Sequence, residues 1–68
     1  MTVATQVKDT LATLKGAQGT LRMYSLQSRE TKSIDVYNEA LETTNEIIKD
    51  LEIRLKTLEL EEPQFKGN

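Results

Sequence analysis

Sixty-eight residues with a net charge of −2 and neither cysteine nor histidine leave room for one small domain, and remove disulfides and the usual zinc sites as staples. A chain this short buries only about 60% of its unfolded surface, so oligomerisation is the remaining route to stability. No apolar run exceeds two adjacent residues, as at Ile47 and Ile48, which excludes a transmembrane span or signal-peptide core and makes a soluble, non-exported chain the expectation.

The charges are unevenly distributed. Residues 1–28 hold Lys8, Lys15 and Arg22 against Asp9, whereas residues 29–68 hold six basic and ten acidic groups, so the halves stand at +2 and −4. Such a split favours packing one half on the other. It lacks the concentrated basic face of a phosphate binder, so no nucleic-acid partner is expected.

The first predicted element runs from about Thr2 to Gln27. Val7, Leu11, Leu14 and Leu21 recur at helical steps, with Ala4 and Ala17 beside the stripe. Thr2 is the expected N-cap, its hydroxyl accepting from a free amide of the first turn. Gly16 and Gly19 each cost about 1 kcal/mol relative to alanine inside a helix. They could end one helix at Lys15–Gly16 and start another at Thr20. The alternative is one continuous helix, in which Ala12, Gly16 and Gly19 form a small-residue face for close packing of another backbone. Leu14 and Leu21 stand one heptad apart, a registry that an inserted turn would lose, so the continuous helix is preferred.

The second element spans about 31–62. Ile34, Tyr37, Leu41, Thr44, Ile48, Leu51, Leu55 and Leu58 form an unbroken heptad seam, and Pro63 stops the helix. Ser28, Thr31 and Ser33 are the candidate caps. A short connection between two long helices forces an antiparallel hairpin, with arms of roughly 40 and 45 Å. The predicted fold is therefore all-α, a hairpin over 1–62 with a short C-terminal tail at 63–68. A turn centred near Arg29 to Glu30 pairs Val3 with Leu55 or Leu58, Val7 with Leu51, Leu11 with Ile48, and Leu21 with Tyr37 or Leu41. Ala40 and Ile47 on one shoulder of the seam, with Ile53 and Leu60 on the far side, widen the apolar arc beyond what two helices cover. A dimeric four-helix bundle is the expected assembly.

Candidate chemistry is sparse. Asp35, Glu39, Glu42 and Glu46 form a carboxylate stripe, the one place a cation such as calcium would be sought. Calcium takes six to eight converging oxygens, which a single straight helix does not supply, so a solvated acidic face is preferred and no metal site is assigned. Gln18 and Thr44 interrupt the two seams and are expected to meet at mid-height, setting register. Tyr24 and Tyr37 fall near the hairpin tip with Arg22, Arg29 and Lys32, a grouping read as core aromatics rather than a base-stacking platform. Without histidine, cysteine, a serine beside a base, or a phosphate-cradling loop, no catalytic residue and no cofactor is expected. Ile53, Leu60 and Phe65 are the candidate partner surface. The functional expectation is a non-catalytic helical interaction protein that associates with itself, with a small-ligand or calcium-binding protein as the alternative.

Two stretches carry a family resemblance. The opening Met1-Thr2-Val3-Ala4-Thr5-Gln6-Val7-Lys8, continuing to Leu11, Leu14, Lys15, Gly16 and Ala17, is one, and Glu61-Glu62-Pro63-Gln64-Phe65-Lys66-Gly67 is the other. Together they resemble a family of short proteins of unknown function in endospore-forming bacteria, commonly encoded beside stage V sporulation channel genes. The resemblance implies a spore-associated accessory of a membrane complex, in the cytoplasm or spore interior and peripheral to the inner spore membrane. It carries over no catalytic or ligand residues.

Overall fold

A computed structural model describes residues 2–61, and within them the chain forms two helices, α1 (Val3–Gln27) and α2 (Thr31–Glu61), joined by Ser28, Arg29 and Glu30. Phe65 and the predicted tail lie outside the described residues. The two helices pack side by side in a rod with Cα extents of 49 × 16 × 15 Å.

α1 begins as its sequence predicts. Thr2 has extended backbone (φ −97°, ψ 165°), its Oγ1 accepts from the Thr5 amide at 3.1 Å, and its carbonyl accepts from Gln6. The helix then runs unbroken through Gly16 and Gly19. It closes where the Ser28 amide donates to the Tyr24 carbonyl at 2.9 Å and Ser28 turns extended, with ψ of 141°. α2 starts one residue after Glu30, whose carbonyl accepts the first helical bond from Ile34. Glu30 therefore holds the cap position, and none of the three hydroxyl residues singled out from sequence does.

Burial follows the heptads on both arms. On α2 the eight predicted seam residues, Ile34 through Leu58, are all buried or half-buried. On α1 the corresponding series is Ala4, Val7, Leu11, Leu14, Gln18, Leu21 and Ser25, with Ser28 just past the helix end. Alternating steps of three and four keep each series on one side of its helix, which is why these positions lose solvent, with Lys8, Ser33, Ala40 and Glu59 half-buried beside them.

Cross-helix contacts set the register. The Tyr24 and Tyr37 rings lie 6.1 Å apart at 31°, and the Ser25 hydroxyl donates to Asn38 Oδ1 at 3.1 Å. At the tip this alignment brings Leu21 near Leu41, one of the two partners expected for it, and further along the rod Lys8 and Lys15 reach Glu59 and Glu52. Thr44 Oγ1 donates to the Ala40 carbonyl of its own helix and so is satisfied without Gln18.

One expectation is reversed. A Cβ built on Gly16 or Gly19 meets nothing within 4 Å, so neither glycine provides close contact between the two arms. Both lie on the outward side of α1, away from α2, and a small residue relieves crowding only where a neighbour stands.

Candidate functional site

Meshing two heptad seams leaves the hairpin with two broad flanks, one on either side of the buried plane, and they differ sharply in chemistry. On the first flank Lys8 reaches Glu59 at 3.5 Å and Lys15 reaches Glu52 at 3.3 Å, bridging the arms. Arg22, Lys49 and Lys56 extend this charged side. The unequal charge of the two halves is therefore used directly, with basic residues of α1 meeting acidic residues of α2. The Lys15–Glu52 pair is about half exposed, a setting in which a bridge contributes about 0–1 kcal/mol and acts mainly on alignment.

The second flank is built from the positions next to the seams on the other side. Val3 and Val7 of α1 line a shallow groove with Ile53, Arg54, Thr57 and Leu58 of α2, which puts the two arms' flanking residues together at the open end. Tyr24 against Tyr37 does the same at the tip. Between Val3 and Gln27 on α1, and between Ser33 and Thr57 on α2, the only charged members of this flank are Asp50 and Arg54. These two bond to each other at 3.1 Å. The rest is Val, Ala, Ile, Tyr, Thr, Ser and Gln.

Four of the five threonines on that flank are turned inward at their polar ends. Oγ1 of Thr10 donates to the Gln6 carbonyl at 2.9 Å, Thr13 to Asp9 at 3.1 Å, Thr20 to Gly16 at 3.2 Å and Thr57 to Ile53 at 3.2 Å. Back-bonding of this kind satisfies the hydroxyl within its own helix and leaves the methyl as the group presented outward. Sequence reading counts these residues as polar. The structure makes them largely apolar in what they show.

The remaining sequence candidates fall as follows. Asp35, Glu39, Glu42 and Glu46 are all exposed along one helix, and no group of three or more potential metal ligands converges among the described residues. Ile53 and Leu60 are each 65% exposed on the outer side of α2. The sequence reading set Ala4 only beside the stripe, whereas it is the most buried of the described residues, 3% exposed, and it did not single out Ser25, which completes the seam of α1. The three-and-four spacing from Val7 would have found both. Low side-chain hydrophobicity hid them.

The described residues define an all-α antiparallel hairpin whose most distinctive surface is a broad uncharged flank. Among them, no helix is long and apolar enough to cross a membrane. The chain belongs to the family described as "Protein of unknown function (DUF1657)", which matches residues 7–55. No curated protein matches the chain, and no solved structure does.

Proposed function

We propose that this chain is a non-catalytic interaction protein, a helical hairpin that associates with itself into a dimeric four-helix bundle and supports a larger assembly. One observation carries the reading. Among the described residues only Ala4, Leu11 and Ile48 are buried, while Val3, Met23, Tyr24, Leu26, Val36, Ile47, Ile53 and Leu60 are 45–81% exposed. A core of three buried residues is thin for a free-standing domain, and exposed apolar surface on this scale normally meets a partner.

The setting rests on the resemblance of both chain ends to short proteins of endospore-forming bacteria. On that basis the assembly is a spore membrane complex of sporulation or germination, with the hairpin on its cytoplasmic or spore-interior side. The carboxylate stripe gives the calcium-binding alternative no support, because its members are strung along one helix. Cross-linking and capture of the full-length chain from sporulating cells tests the setting. Recovery of integral membrane proteins of the spore supports it, and recovery of the chain with only itself contradicts it.

A further inference from the structure

We infer that the uncharged flank is the surface on which a second copy of this chain docks, face to face across a two-fold axis; the inference rests on the self-association proposed above. Burying a surface is costly when it strips water from unpaired charges or leaves polar hydrogens without acceptors. The flank that carries Lys8, Lys15, Glu52 and Glu59 would incur that cost along its whole length. The opposite flank incurs less of it, because its single charged pair, Asp50 and Arg54, is bonded to itself and four of its five threonine hydroxyls are already bonded within their helices.

Size agrees with this assignment. A face measuring 49 by 16 Å projects about 780 Å², close to the roughly 800 Å² that each partner contributes to a stable interface. At mid-length the face is lined by Ala17 and Ala40, small enough for helices to approach at bundle distances of about 8–10 Å. Asp9, Glu39 and Glu46 border it, giving the polar rim that such interfaces have.

The same features select the occupant. A strongly charged partner would find no counter-charge on this face, and an anionic membrane would meet an acidic rim. A second copy needs neither, since a two-fold places one neutral face on another without opposing like charges.

Adjacent residues provide an internal control. Met23 and Tyr24 are 49% and 48% exposed in the single hairpin, yet Tyr24 belongs to the uncharged flank and Met23 points away from it. Hydroxyl-radical footprinting of the full-length chain, from sub-micromolar to hundred-micromolar concentration, should show Tyr24 oxidation falling several-fold while Met23 stays constant. In parallel, Ala17→Glu should raise the dissociation constant for self-association roughly 100-fold, whereas Ala12→Glu, an equally exposed alanine off this flank, leaves it unchanged. If mass doubles but Met23 is the protected residue, or Ala12→Glu is the disruptive variant, the face assignment is wrong and self-association stands. Protection of Tyr24 at every concentration with a single-chain mass would mean that the chain's own residues 62–68 cover the face, overturning this inference. A folded single chain with no protection at any concentration would overturn the proposed function as well.

Discussion

Replacing Gly16 and Gly19 by alanine should raise the melting temperature, and the size of the gain follows from the open space around them. Neither added methyl meets a neighbour within 4 Å, so no packing penalty opposes the backbone effect. Glycine inside an exposed helix is about 0.8–1 kcal/mol less favourable than alanine, which makes the double substitution worth close to 2 kcal/mol. Unfolding entropy near 2.1 cal/mol/K per residue over roughly 60 residues converts each kcal/mol into about 8 °C, so the pair should gain about 13–16 °C. In a dimer both the stabilisation and the entropy double, and the shift per substitution is unchanged. Thermal melts by circular dichroism at matched concentrations, with each single variant beside the double, measure it. A fall in melting temperature for Gly19→Ala would show a tight contact at the outward side of α1. That result would refute the placement of the dimer interface on the opposite, uncharged flank.

Ile48 is 5% exposed at mid-seam, so Ile48→Asp buries an unpaired carboxylate, and loss of the cooperative melt and most of the helical signal is expected at 25 °C. Lys15→Ala removes the bridge to Glu52 and should cost less than about 1 kcal/mol in urea titration, a cost that shrinks further in high salt. Calorimetric titration with calcium should release no heat at micromolar concentrations; heat abolished by Asp35→Asn with Glu39→Gln would restore the cation-binding alternative.

The helical seams were legible in the sequence because Leu, Ile and Val at steps of three and four leave few other solutions. That signal identified every buried or half-buried seam position on α2 and four of the α1 series. It set Ala4 beside the stripe rather than in it and passed over Ser25, because their small side chains add little hydrophobicity even though their positions fit the repeat. The glycines were misjudged because small size alone does not tell which way a helix face looks. Gly16 and Gly19 become open positions only once Leu14 and Leu21 are turned toward α2. The uncharged flank was hidden for a different reason. It combines residues from two helices, and part of its apolar character comes from threonines whose hydroxyls are taken up by their own backbone.

The central claim, that this hairpin completes its core with a second chain, is tested most directly by light scattering of the full-length protein across a concentration series. A single chain has a mass of 7.7 kDa. The account predicts at least twice that mass at tens of micromolar, with helix content and mass falling together on dilution. A helical species of single-chain mass that melts cooperatively at the same temperature at every concentration would contradict it.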